Sequence, residues 1–195
     1  MKRNTVLGAV AMASLVALSA CGGGASEAPV ADETEAAPVA EETEAAAEEP
    51  AEEVAAVPAA EANGTVIEIQ MYTRDPETGR QVFAPALVKA NVGDTIKFVP
   101  TDPTHQSQSI PEMLPAGVTG WEGKINEEVS YVIPAPGIYG YKCNPHYAAG
   151  MIGMIVVEGD GKTDNLEAAQ GVSHPGLAGK TFTELFEQAA TDGLI

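Results

Sequence analysis

The stretch Cys143-Asn144-Pro145-His146-Tyr147-Ala148-Ala149-Gly150-Met151 puts a thiol, an imidazole and a thioether into nine consecutive residues. A second imidazole, His105, stands 38 residues before the cysteine, directly after Thr101-Asp102-Pro103-Thr104. A thiolate, two imidazoles and a weak axial thioether form the donor set of an electron-transferring copper centre. Soft sulfur suits Cu(I) and imidazole accepts Cu(II), so a trigonal His₂Cys plane with a distant methionine serves both valences with little rearrangement. Taken singly, the same residues read differently: a lone cysteine is usually a small buried hydrophobe, Met151 fits a core and His146 a surface. Their coincidence on one tight loop, with His105 at another strand end, favours copper. Zinc is disfavoured because methionine is not among its usual ligands. A Cys–His hydrolase would want an orienting acid or amide and a cleft, and the compact loop offers neither.

Such a loop needs strands to carry it. Ile67, Ile69 and Met71 alternate with Glu68, Gln70 and Tyr72, the period of a half-buried strand. Val92-Gly93-Asp94 reads as a turn before a strand at Thr95–Val99. Val129, Tyr131 and Ile133 alternate again, and Pro134-Ala135-Pro136-Gly137 turns the chain. Ile138–Cys143 and Met151–Glu158 then pair across the ligand loop. Short strands punctuated by Gly and Pro predict an all-β sandwich or barrel. After Gly159 the pattern becomes helical. A short helix is expected from about Asp164 to Gln170, ended by Gly171. A second is expected to start at a capping box, Thr181-x-x-Glu184, with Phe182, Leu185, Phe186 and Ala189 on one face. His174, before Pro175, reads as a surface histidine rather than a ligand.

These motifs resemble the pseudoazurins of the cupredoxin (type 1 blue copper) family, over Gly64–Ile195. The resemblance rests on Val92-Gly93-Asp94-Thr95, Pro100-Thr101-Asp102 before His105, and Gly123-Lys124-Ile125-Asn126-Glu127. It also rests on Lys142-Cys143 followed by Pro145-His146-Tyr147, on Gly159-Asp160 leading to Asn165-Leu166, and on the terminal helices. It implies an eight-stranded Greek-key β-sandwich with two C-terminal helices and a single copper ion cycling between Cu(I) and Cu(II). It further implies ligation by His105, Cys143, His146 and Met151, and electron shuttling in the periplasm. The expected partners are redox proteins such as a c-type cytochrome or a copper or haem reductase. Several positions depart from the family pattern. Gln106 stands where asparagine usually follows the first histidine; the backbone N–H there can still reach the cysteine sulfur. Gln81 and Ala149 replace methionines. Pro103, Thr104 and Glu122 occupy positions where lysines are common, while Lys124 and Lys142 remain.

The 195 residues include two cysteines and three histidines, with 28 acidic against 10 basic side chains and a net charge of −18. Two cysteines make no disulfide framework, and the acidic balance argues against nucleic acid as a partner. Lys2 and Arg3 precede an apolar run, Val6–Leu18, the pattern of a secretory signal too short to span a bilayer. Leu18-Ser19-Ala20-Cys21 resembles a bacterial lipobox, which implies a signal over 1–20 and a lipidated Cys21. Gly22 rather than Asp after that cysteine points to the outer membrane. Residues 21–63 are rich in Ala, Glu and Pro, with twelve acidic residues, no basic one and no aromatic one. Such a segment cannot bury enough apolar surface to offset its ordering entropy, so a disordered tether is expected. The sandwich is then expected over 64–159 and the helical extension over 160–195. Signal and tether remove +2 and −12, leaving −8 on residues 64–195.

The leading expectation is therefore a lipid-anchored, monomeric electron carrier on the periplasmic side. A copper chaperone or storage protein is the alternative, but storage would want many sulfur and imidazole sites. A multicopper oxidase or nitrite reductase would need further histidine clusters that His174 alone cannot supply, so no enzyme activity is expected.

Overall fold

The computed structural model describes residues 55–195. The expected signal, Cys21 and the tether up to residue 54 lie outside the described residues. Among the described residues no helix is long and apolar enough to cross a membrane.

Eight strands form two four-stranded sheets. The first sheet runs in the order β2-β1-β4-β6, built from β1 (Val66–Tyr72), β2 (Val82–Ala84), β4 (Thr95–Val99) and β6 (Val129–Val132). The second runs β3-β8-β7-β5, from β3 (Leu87–Asn91), β5 (Gln108–Ser109), β7 (Gly137–Lys142) and β8 (Ile152–Glu158). β1 and β4 are parallel, as are β3 and β8. The other pairings are antiparallel. The result is the Greek-key sandwich with two C-terminal helices that the resemblance implies.

Period-two patterning places the core. Ile69 and Met71 of β1, Ile96 and Phe98 of β4, Tyr139 and Tyr141 of β7, and Ile155 and Val157 of β8 meet between the sheets. Phe98 stacks on Trp121 with ring centroids 5.2 Å apart, and Phe83 meets Tyr141 edge-on at 4.9 Å. β7 and β8 are buried on both faces, because the residues between the core positions are covered too. Ile138, Ile152, Met154 and Val156 pack under Phe182, Leu185, Phe186 and Ala189 of the last helix. Each such large side chain contributes roughly 1.5–3 kcal/mol when fully buried, so the helix is a third layer of the domain. Gly153 is required where these layers meet, since a Cβ there would lie 2.3 Å from the Tyr141 ring.

The helices differ in detail from the expectation. α1 spans Leu166–Gly171. α2 spans Ala178–Thr191 with Leu177 at its N-cap, four residues earlier than a capping box at Thr181 would place it. Thr181 lies inside the helix and its hydroxyl donates to the Leu177 carbonyl one turn back, a bond that mid-helix threonines readily make. Glu184 faces Lys180 at 3.6 Å instead of reaching back to an N-cap. At the other end, residues before Gly64 already contact the sandwich. The Val57 N–H donates to the Gly117 carbonyl at 2.8 Å and the Asn63 N–H to the Gly93 carbonyl at 2.9 Å. The Asn63 side chain also donates to Asp94 Oδ1 at 2.7 Å.

Candidate metal centre

Cys143 follows the last residue of β7 and Met151 precedes the first of β8. Lys142 and Ile152 are paired across that hairpin, so residues 143–151 close it. The Cys143 N–H donates to the Met151 carbonyl at 3.0 Å. Asn144–His146 form one 3-10 turn, for which Pro145 is suited by its fixed φ. The turn lifts His146 back over the cysteine, and the Met151 and Ala149 N–H groups both donate to the His146 carbonyl, at 3.2 and 3.1 Å.

His105 reaches the same place from the loop after β4. Thr104, just before it, is left-handed at φ 77. Its N–H donates to Asn126 Oδ1 at 2.5 Å, and the Asn126 N–H donates to the His105 carbonyl at 2.8 Å. These bonds hold the histidine's backbone from the 124–127 turn.

The donor atoms converge. Cys143 Sγ lies 3.7 Å from His105 Nδ1 and 3.4 Å from His146 Nδ1. The three ligand atoms all fall within 4.8 Å of one another. Nitrogen and sulfur donors about 2.0–2.3 Å from one ion, some 110–120° apart, stand roughly 3.4–3.8 Å from each other, and the two sulfur–nitrogen separations fall in that range. His105 and Cys143 have no exposed surface, nor has Met151, which belongs to the same core. His146 is half-buried. Both histidines direct Nδ1 at the sulfur. The remote nitrogen of His105, Nε2, shares a 2.9 Å hydrogen bond with Thr73 Oγ1. When Nδ1 ligates a metal the ring proton sits on Nε2, and the threonine hydroxyl stands where it can accept it.

Electrostatics favour a metal over protons. Burial lowers the pKa of His105, as does the neighbouring His146, against a weaker opposing pull from Asp102. Burial raises that of the Cys143 thiol, while backbone N–H groups of Gln106 and His146 oppose the rise. The buried His105 imidazole beside a desolvated thiol suits a cation that can replace the thiol proton.

His174 is not the surface residue the sequence suggested. It is half-buried, shares a 2.6 Å hydrogen bond with the Tyr147 hydroxyl and lies against the Phe182 ring at 4.3 Å. It takes no part in the ligand group. Thr73 is the functional residue that sequence reasoning missed: an exposed threonine at a strand end has no periodic or spacing signal.

A two-sheet sandwich with a buried cysteine and two histidines converging at one end defines a cupredoxin. Residues 70–158, which include all four candidate ligands, match the family described as copper binding proteins of the plastocyanin/azurin type. Pseudoazurin from Paracoccus pantotrophus is 43% identical over 117 residues, covering 60% of this chain and 79% of that protein. Pseudoazurin from Methylorubrum extorquens is 42% identical over 122 residues, covering 63% and 80%. Among solved structures, a pseudoazurin from Sinorhizobium meliloti superposes with a TM-score of 0.60 at 35% identity, over 64% of this chain and 95% of that one. One from Methylobacterium extorquens gives 0.59 at 41% identity, over 63% and 98%. The chain belongs to the pseudoazurin family. Its cofactor is one type 1 copper ion, and its function is blue copper electron transfer.

Proposed function

We propose that His105, Cys143, His146 and Met151 hold the copper and that the domain carries single electrons between periplasmic redox proteins. The observation that supports this most is the convergence of one thiol and two imidazole nitrogens within 4.8 Å at the buried end of the sandwich. A copper ion held by these side chains would supply one-electron chemistry between Cu(II) and Cu(I). The chain's own residues keep the surroundings fixed. The aromatic core and the 143–151 hairpin hold Cys143 and Met151, and Thr73 and Asn126 hold His105. With no exposed surface on three of the four side chains, water is excluded from all but the His146 edge.

That half-buried edge is the proposed door for electrons. Pro85, Pro145 and Ala148 are exposed and supply small apolar surface suited to brief docking. A small patch with a polar rim favours fast dissociation over tight binding. Charge then sets the encounter rate more than the affinity. With −8 on residues 64–195, a basic protein such as a c-type cytochrome is the proposed partner, ahead of an acidic copper or haem reductase. We further propose that the domain works as a monomer on the periplasmic side, anchored by lipid on Cys21 and swinging on the acidic segment. Stopped-flow electron transfer to a basic cytochrome checks the partner class. The second-order rate is expected to fall as ionic strength rises, and a rate that climbs with salt would contradict the reading. Mass spectrometry of the membrane fraction checks the anchor: a diacylglyceryl adduct on Cys21 is expected, and a soluble form cleaved elsewhere would overturn it.

The copper chaperone or storage alternative finds little support. Among the described residues one group of this kind is present, and its cysteine is buried, whereas a chaperone needs an accessible thiol to hand metal on.

A further inference from the structure

The metal-binding loop is held from inside by its own backbone bonds, and from outside by the C-terminal segment. Tyr147 directly follows the ligand His146, and its hydroxyl shares the 2.6 Å hydrogen bond with His174 Nδ1. Next to it, the Leu177 N–H donates to the Ala148 carbonyl at 2.8 Å. Gly176, at φ 55, passes so close that a Cβ would come within 2.3 Å of the same oxygen. The tail is thus fitted against residues 147 and 148 with no room to spare.

His174 is itself held firmly. Its ring leans on Phe182 with 4.3 Å between centroids and 31° between planes. Phe182 is 2% exposed in the layer beneath α2, and Pro175 restricts the backbone that follows. From the other side, Lys142 Nζ lies 4.8 Å over the Tyr147 ring.

We infer that His174 is a positioning residue for the copper centre, acting through Tyr147 to set where His146 stands relative to His105. The two ligand histidines come from different loops, with ring centroids 4.9 Å apart. The bonds within 143–151 are short-range turns, and what ties that loop to the α2 layer is the Leu177–Ala148 bond together with the Tyr147–His174 bond. His146 is also the one half-buried ligand, so the core does not lock it. Of these two outside bonds, the one from His174 reaches the residue next to His146 and so steadies the turn whose amides bond to the His146 and Tyr147 carbonyls. Partners outside the ligand set commonly orient ligands in this way.

The inference rests on the ligand assignment proposed above, and its test is arranged to fail separately. In the full chain, His174→Ala, Tyr147→Phe, their combination, His174→Asn and Leu185→Ala are compared. Leu185→Ala loosens the same helix without removing a bond to the loop. The first readout is amide hydrogen exchange of Ala149, Gly150 and Met151 in the metal-free protein. The second is the electron self-exchange rate with copper bound.

His174→Ala and Tyr147→Phe are each expected to speed exchange of these amides by about 5–10-fold, the loss of one partly buried hydrogen bond. Both should slow self-exchange several-fold. The double variant should match the singles, because both remove one bond. His174→Asn, which keeps a polar partner near the phenol, should recover part of the effect, and Leu185→Ala should leave the loop amides within about twofold of the parent. Loop amides unchanged in His174→Ala, additive effects in the double variant, or an equal effect of Leu185→Ala would each overturn the inference. Failure of the ligand assignment shows differently, as a copper-loaded parent protein whose colour survives Cys143→Ser.

Discussion

The Thr73–His105 hydrogen bond offers a direct perturbation of the metal centre that leaves every proposed ligand in place. Thr73→Val replaces a hydroxyl by a methyl of similar size, so His105, which has no exposed surface, stays covered. Its Nε2 loses the partner now 2.9 Å away. The cost falls unequally on the two states. Without metal, the neutral imidazole can move its proton to Nδ1, where Cys143 Sγ at 3.7 Å can accept it. With metal, Nδ1 is committed and the proton must sit on Nε2, facing a methyl group. A buried donor left unpaired costs about 1–3 kcal/mol. Because the metal-free protein escapes part of this, copper affinity should drop by roughly 10–100-fold, the usual effect of losing such an outer partner. Competition titration with a copper chelator measures this, with Thr73→Ser as the conservative control. Affinity within about twofold of the parent in Thr73→Val, or an equal loss in Thr73→Ser, would refute the reasoning.

Other expectations follow from single residues. Pro145 carries no N–H, so Pro145→Ala adds one potential donor to the sulfur and disfavours Cu(II). A hydrogen bond of about 0.5–1.5 kcal/mol corresponds to a rise of roughly 20–60 mV in the one-electron potential, and voltammetry showing no change or a fall would refute that mechanism. Thr104 is a β-branched residue at φ 77, so Thr104→Gly should stabilise the protein by about 1 kcal/mol in urea denaturation; a loss of stability would count against strain there. Burial holds His105 and His174 below the ordinary histidine range. The unfolded chain therefore takes up protons below pH about 6.5 that the folded metal-free protein refuses. Stability should be complete above that pH and decline as pH falls towards the folded values, and a melting temperature that stays flat or rises on acidification would contradict this.

Much of the architecture was legible in the sequence because its chemistry is local. The β1 alternation of Ile67, Ile69 and Met71, the turn at Gly93 and the apolar face of α2 each follow from side-chain period or backbone freedom. The Cys143–Met151 loop carries three donors in nine residues. What was not legible depends on tertiary partners. β2 and β5, with three and two residues, have too little length to show a period, and β3 exists by lying parallel to β8. Thr181 has the spacing of a cap, but the helix starts earlier, where Leu177 bonds to Ala148 across the fold. His174 looked like a surface residue because nothing in its neighbourhood along the chain announces Tyr147, 27 positions away. Thr73 was hidden for the same reason.

The proposed copper site stands on a thiolate–copper bond at Cys143. Adding Cu(II) to the metal-free protein and recording visible absorption with electron paramagnetic resonance tests it most directly. An intense blue band with one equivalent bound, absent in Cys143→Ser, is the predicted result. A colourless copper complex, or one whose spectrum is unaltered by Cys143→Ser, would contradict it.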